Sequence, residues 1–179
     1  MLTARQTILM VIDVQEKIFS TLYEQTETEK NIVRLIQGAA VLNIPVVWTE
    51  QYPRGLGSTL PSIREVLPGQ TPLEKRSFSC LGDPTVREKI ESYGRKEVLI
   101  CGIEAHVCVY QTSVDLIDRG YGVHIVTDAV MSRKRENYDV AMANLSTLGA
   151  RLTSVEMILF ELLKEAKGKR FKAIAEIIK

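Results

Sequence analysis

The chain has 179 residues, 45% of them hydrophobic, with 23 Lys and Arg against 22 Asp and Glu for a formal charge of +1. That length fits a single domain spanning residues 1–179, and the apolar content supplies a substantial core, which excludes a disordered chain. A balance so close to neutral offers no field for nucleic acid or an anionic membrane, so neither is expected as a partner.

In chain order, residues 7–12 form a continuous apolar run ending at Asp13, the pattern of a buried parallel strand that delivers a polar residue at its carboxyl edge. The run is too short to span a membrane. Residues 28–42 place apolar side chains at helical spacing and stop at Asn43, and residues 44–48 read as a second strand. Residues 49–57 mix polar groups with Pro53, Gly55 and Gly57, which predicts a pocket loop. A short helix is predicted within 58–67, an irregular stretch over 68–80 that contains Lys75, and a helix opening at Asp83-Pro84. Residues 98–102 give the strongest central strand, followed by a helix over 107–118. A strand over 122–127, a helix over 136–148 and a short edge strand over 151–153 come next, and Ser154 can cap the helices that close the chain.

Strands alternating with helices predict an α/β fold: one doubly wound, mostly parallel sheet with helices on both faces, in a Rossmann-like three-layer arrangement. Ligand sites in such folds lie at the carboxyl ends of the strands, where Asp13, Glu50 and the segment after Gly102 all fall. The basic cluster Arg133-Lys134-Arg135 is short and reads as a solvated turn.

Three cysteines, Cys80, Cys101 and Cys108, in a chain without an export signal point to free thiols and a cytoplasmic address. Buried cysteines are most often small hydrophobes, and Cys101, inside a strand run, fits that description. Cys80 falls in a polar region where exposure is expected, with no activating charges in view. Cys108 differs from both. It lies in the first turn of a helix that starts after a central strand, where backbone N–H groups and the helix dipole favour a thiolate and can bind an oxyanion. Asp13 can take and return a proton, although a helix-capping role fits the same position. Lys75, otherwise a surface charge, would lower the thiol pKa and hold the carboxylate ionised if it lay beside both.

Asp13-Val14-Gln15, Lys75 with Phe78-Ser79, and Gly102-Ile103-Glu104-Ala105-His106-Val107-Cys108-Val109 together resemble an isochorismatase-like cysteine hydrolase, in that family's order and over almost the whole chain. The 49–57 loop resembles the isochorismatase domain-containing branch. The resemblance implies Asp13 as general base, Lys75 as cationic partner and Cys108 as nucleophile. It also implies a cis peptide at Ile103–Glu104 and an oxyanion hole from the backbone N–H groups of Glu104 and Cys108. An aromatic residue expected soon after Asp13 is shifted to Phe19, with Ile18 nearer the usual place. Gln15, Phe19, Glu50, Tyr52 and Phe78 are the candidate pocket residues. Nicotinamidases of the family bind a metal through an Asp and several His; here the only histidines are His106 and His124, neither near Glu50, so neither metal nor other cofactor is expected. His106 is expected to pack or hydrogen-bond beside the site.

The reading that follows is a metal-independent hydrolase of a small carbonyl compound, most simply an amide, through a thioester at Cys108. The rival from another class is a scaffold or interaction protein that keeps the fold without the chemistry. Vinyl-ether cleavage of the isochorismate type is a third option, against which the presence of Cys108 weighs. Family members assemble as dimers or larger rings, so a homo-oligomer is expected, with Val114, Leu116 and Ile117 or the C-terminal helices as the contact.

Overall fold

The computed structural model describes residues 2–179. Six strands, β1 Thr7–Ile12, β2 Val46–Gln51, β3 Leu73–Lys75, β4 Glu97–Ile103, β5 Gly122–Met131 and β6 Arg151–Thr153, form one sheet in the order β3-β2-β1-β4-β5-β6. Every adjacent pair is parallel. The helices are α1 Glu16–Phe19, α2 Thr26–Val41, α3 Pro53–Leu56, α4 Pro61–Glu65, α5 Pro84–Ser92, α6 Tyr110–Asp118, α7 Arg135–Thr147, α8 Val155–Leu163 and α9 Gly168–Ile178.

The continuous apolar run of β1 follows from burial on both faces. Leu9 and Val11 pack into one core with Leu35 and Ile36 of α2, Leu159 of α8 and Ile174 of α9. Ile8, Met10 and Ile12 point to the other side, against Val86 and Ile90 of α5, Leu116 of α6 and Leu145 of α7. Full burial of each such Leu or Ile contributes about 1.5–3 kcal/mol. Leu116 is therefore a core residue and not a subunit contact; the exposed large apolar side chains include Val140, Leu148, Leu152 and Met157.

Local boundaries follow their caps. Asn43, at φ 55°, ends the chain's first long helix in the left-handed conformation that Asn tolerates. Asp83 accepts hydrogen bonds from Thr85 and Val86 at the start of α5, and Ser154 accepts one from Met157 at the start of α8.

Three segments depart from the sequence expectation. The second strand begins after Pro45 and runs on to Gln51, so Thr49 and Glu50 are strand residues and not part of a loop. They are held there by pairing with β3, Thr49 against Leu73 and Gln51 against Lys75. Lys75 thus ends a short strand within the stretch expected to be irregular. Strand β5 continues to Met131 because its pairing with β4 resumes beyond a register shift between Ile100 and Gly102.

The strand order reverses between β1 and β4, the position at which doubly wound sheets bind ligands. Asp13, Gln51, Lys75 and the 104–108 turn all leave the sheet at this edge.

Candidate active site

At the switch point the β1 and β4 backbones approach so closely that only glycine fits. Gly102 has φ +115°, and a Cβ there would lie 2.1 Å from the Ile12 carbonyl oxygen. The Ile103–Glu104 peptide that follows is cis. The chain then enters a wide turn, Ala105–Val109, in which the Val109 N–H reaches back five residues to the Glu104 carbonyl at 3.2 Å before α6 begins. Cys108 lies in this turn and is 7% exposed.

Asp13 adopts φ 53°, a left-handed conformation that Asp visits more readily than most residues. Its carboxylate caps no helix. Oδ1 accepts from the Thr49 hydroxyl at 2.7 Å and Oδ2 from the Lys75 ammonium at 2.7 Å. The Lys75 side chain is 0% exposed and that of Asp13 2%. Lys75 Nζ also donates to Gln51 Oε1 at 2.7 Å and to the Ser77 and Phe78 carbonyls at 3.2 Å. Burial works against the Lys75 charge, yet the Asp13 carboxylate outweighs it and holds the lysine pKa above its ordinary value.

The Cys108 thiol is pushed far above the ordinary thiol range, first by burial and then by the Asp13 charge, and Lys75 only partly offsets both. Cys108 is consequently a neutral thiol, not the thiolate that its place at a helix start suggests. Cys80 is fully buried, which corrects the expectation of an exposed loop cysteine. Its thiol lies 3.8 Å from the Thr49 hydroxyl, behind Asp13, and burial raises its pKa to about 11. Cys101 is also fully buried, with Sγ 3.6 Å from the Met10 carbonyl, and burial alone pushes its pKa up.

A cavity of about 270 Å³ opens over these groups. Asp13, Gln51, Glu104 and Cys108 supply its polar lining, Ile18, Leu56, Phe78, Ile103 and Val107 its apolar walls, and Arg133 a cation. Larger concavities, about 730 and 550 Å³, lie around Trp48 and residues 67–71, away from the Asp13–Lys75 pair.

Of the five expected pocket residues, Phe78 lines this cavity and four do not. Phe19 is buried in the hydrophobic core, and Ile18 takes the place against the cavity. Gln15 is buried as a clamp: its Nε2 donates to the Gln51 and Gly57 carbonyls at 3.0 and 2.7 Å, and its Oε1 accepts from the Gln51 N–H at 2.7 Å. The Glu50 carboxylate accepts from both the N–H and the hydroxyl of Thr59 at 2.7 Å and so ties down the following loop. Tyr52 faces outward beneath the Arg76 guanidinium, 3.9 Å from its ring centroid. His106 bridges elements outside the cavity lining, with Nδ1 3.0 Å from Ser132 Oγ and Nε2 3.3 Å from Asn137 Nδ2.

Thr49 and Gln51 fall within the segment read as a pocket loop but were not singled out there, and Arg133 was read only as part of a solvated turn. Gln51 and Thr49 had one available signal, a position near the carboxyl end of the second strand. Arg133 had none beyond its charge, because it reaches the cavity only through the extension of β5. The Glu104 side chain, 4% exposed, accepts from the Arg133 N–H at 3.2 Å and from Arg133 Nε at 2.7 Å. Among the hydrogen bonds of the described residues, none is donated by the Glu104 N–H.

Residues 7–157 match the isochorismatase domain. The chain is 38% identical over 178 residues to isochorismatase domain-containing protein 2 of Danio rerio, covering 99% of this chain and 89% of that protein. It is also 38% identical over 182 residues to the secreted isochorismatase effector Isc1 of Phytophthora sojae, covering 99% of this chain and 87% of that one. Among solved structures, MAR1 ribonuclease from Caenorhabditis elegans superimposes with a TM-score of 0.92 at 37% identity, covering 99% of this chain and 91% of that chain. The YcaC gene product from Escherichia coli, described as an octameric hydrolase of unknown specificity, gives a TM-score of 0.94 at 20% identity, covering 99% and 88%, a likeness of fold.

Proposed function

Because this chain belongs to the isochorismatase-like hydrolase family, we propose that it hydrolyses a small amide through a thioester on Cys108, without a metal. The observation that carries this reading is Asp13, fixed by Lys75 and Thr49 at 2.7 Å each and facing the same 270 Å³ cavity as Cys108.

The thiol is protonated at rest, so its deprotonation accompanies attack. Asp13 takes the Sγ proton as sulfur bonds to the substrate carbonyl carbon, and the resulting oxyanion accepts hydrogen bonds from the backbone of Glu104 and Cys108. The unengaged Glu104 N–H supports that assignment. Collapse of the tetrahedral intermediate breaks the C–N bond, and Asp13 returns its proton to the departing nitrogen. Water then attacks the thioester, losing a proton to Asp13, and as the C–S bond breaks Asp13 gives that proton to the departing sulfur, which releases the acid and regenerates both the thiol and the carboxylate. Lys75, its pKa held up by Asp13, remains charged throughout and holds Asp13 Oδ2 in place at 2.7 Å.

The C. elegans relative is named a ribonuclease. A cavity of about 270 Å³ walled by Ile18, Leu56 and Phe78 suits a small molecule better than a nucleic acid strand. Incubating wild type and Cys108→Ala with a panel of small amides and a short single-stranded RNA tests both readings. Amide turnover lost in the variant supports the thioester route, whereas equal turnover in the two proteins, or RNA cleavage alone, overturns it.

A homo-oligomer is part of the same proposal, with exposed Val140, Leu148, Leu152 and Met157 as candidate contacts. A cytoplasmic location is proposed with it; no helix among the described residues is long and apolar enough to cross a membrane.

A further inference from the structure

We propose that the open edge of β2 at Val46–Trp48 is a binding site for a small apolar carboxylic acid, held by the unpaired donors of Trp48 and the charge of Lys89. The site is separate from the Cys108 cavity, shares no lining residue with it and does not depend on the hydrolase reading.

Strand β2 is paired unevenly along its length. The Leu9 N–H donates to the Pro45 carbonyl at 3.0 Å and the Asp13 N–H to the Thr49 carbonyl at 3.2 Å, so alternate residues from 45 to 49 turn their backbone groups toward β1. Val46 and Trp48 turn theirs to the other side, where β3 begins only opposite Thr49. Among the hydrogen bonds of the described residues, none is donated by the backbone N–H of Val46 or Trp48. The indole N–H of Trp48 is buried and has no partner either, the one side-chain polar atom among the described residues in that condition. Buried donors are nearly always paired in folded proteins, so an orphan in a residue that lines a cavity marks a place where a ligand's acceptor is gained.

Both of the large concavities, about 730 and 550 Å³, include Trp48, and the 67–71 segment is a wall common to the two. The larger is apolar along Ile36, Ala40, Ile44, Val66 and Leu73, and its volume is that of a small-molecule site. Lys89 is the only charged residue in its lining. The Lys89 ammonium lies 5.1 Å from the Tyr93 ring centroid, and among the described residues it enters no ion pair. The acids Glu50 and Glu65 belong to the smaller concavity, where the Glu50 carboxylate is already engaged by Thr59. The larger one therefore combines a hydrocarbon wall, unpaired N–H donors and one cation with no facing carboxylate. That combination fits an apolar body ending in a carboxylate, whose oxygens accept from N–H groups and whose charge answers the lysine, and it disfavours a cation or a sugar.

Trp48 is the only tryptophan, so the full chain gives a single indole N–H resonance that reports on this site alone. Octanoate is the probe, and 1-octanol, of the same chain length without the charge, is its control. Octanoate is expected to shift the indole resonance saturably and to bind more tightly than octanol. In Lys89→Gln, a change at an exposed residue, octanoate affinity is expected to fall by about fivefold, the size of one exposed charge pair, with octanol affinity unchanged. An indole resonance that octanoate leaves unmoved overturns the proposal, as does an octanoate affinity equal in wild type and Lys89→Gln. Carboxamidomethylation of Cys108 should leave the titration as it was; loss of octanoate binding in the alkylated protein places the acid in the Cys108 cavity and overturns the separate site. A resonance that moves with protein concentration and not with octanoate shows a second copy of the chain covering this edge, which also overturns it. Failure of every amide in the panel to turn over counts against the hydrolase reading and leaves these outcomes unaffected.

Discussion

Lys75 Nζ lies 2.7 Å from Asp13 Oδ2 with neither side chain open to solvent, so each charge depends on the other. Residues 62 positions apart in sequence have been brought to one rim of the sheet by β1 and β3. In a site this enclosed, removing one partner costs more than the pair contributes, because the survivor is an uncompensated buried charge.

Lys75→Met is therefore expected to destabilise the fold by about 3–5 kcal/mol. Addition of Asp13→Asn to that variant should recover part of the loss, since it removes the stranded carboxylate. Urea unfolding of the two single variants and the double variant measures the coupling; simple additivity contradicts an energetically linked pair.

Asp13→Asn should separate thiol reactivity from catalysis. Burial raises the Cys108 pKa most, the Asp13 charge raises it further and the Lys75 charge lowers it, so neutralising Asp13 leaves burial alone against the cation and shifts the thiol toward thiolate. Alkylation of Cys108 by iodoacetamide at pH 7 should accelerate, while amide turnover falls by about 10²–10⁴-fold for want of the general base. A slower alkylation in Asp13→Asn contradicts the electrostatic assignment.

Stability should decline at alkaline pH. Burial raises the folded-state pKa of Cys80 to about 11 and pushes Cys101 higher, whereas an unfolded thiol titrates near 8.5. Above about pH 8.5 the unfolded chain loses thiol protons that the folded chain retains, so unfolding becomes more favourable, by up to about 1.4 kcal/mol per pH unit per thiol. Below that pH both states are protonated and these groups produce no slope. Lys75, raised by Asp13, adds a further loss once unfolded lysine titrates. Cys101→Ala should flatten the decline in urea midpoint between pH 8.5 and 10.5; an unchanged slope contradicts the burial argument.

Gly102→Ala should be among the most damaging single-methyl changes in the protein. The new Cβ would meet the Ile12 carbonyl oxygen at 2.1 Å, a backbone atom that cannot rotate away, at a φ of +115°. A loss well above ~1 kcal/mol is expected in thermal or urea unfolding; near-wild-type stability contradicts the close β1–β4 approach.

Much of the fold was legible because the central strands carry their signal locally. Strands β1 and β4 are continuous apolar runs, and burial on both faces is what selects such runs. Strand β3 is three residues whose only reason to be extended is pairing with Thr49–Gln51, a contact between distant segments that no local pattern announces. The same gap hid Gln51 as a lysine ligand and made Glu50 look like a loop residue. Asp13 and Cys108 were readable from residue type and position beside a strand end and Lys75 only through the family resemblance, but the protonation of Cys108 was not legible. The helix-start argument favours a Cys108 thiolate, and the structure reverses it because burial and Asp13 together outweigh Lys75. Among the pocket residues, Phe19 and Ile18 are neighbours in sequence, and only the packing of α1 decides which enters the core and which faces the cavity.

The thioester on Cys108 is tested most directly by acid-quenching wild type and Cys108→Ala during hydrolysis of an amide from the panel and weighing the peptide that contains residue 108. The expected result is an acyl mass on wild-type Cys108 during turnover, with neither adduct nor turnover in the alanine variant. Hydrolysis by Cys108→Ala at the wild-type rate, or an acyl group carried by a different side chain, would contradict it.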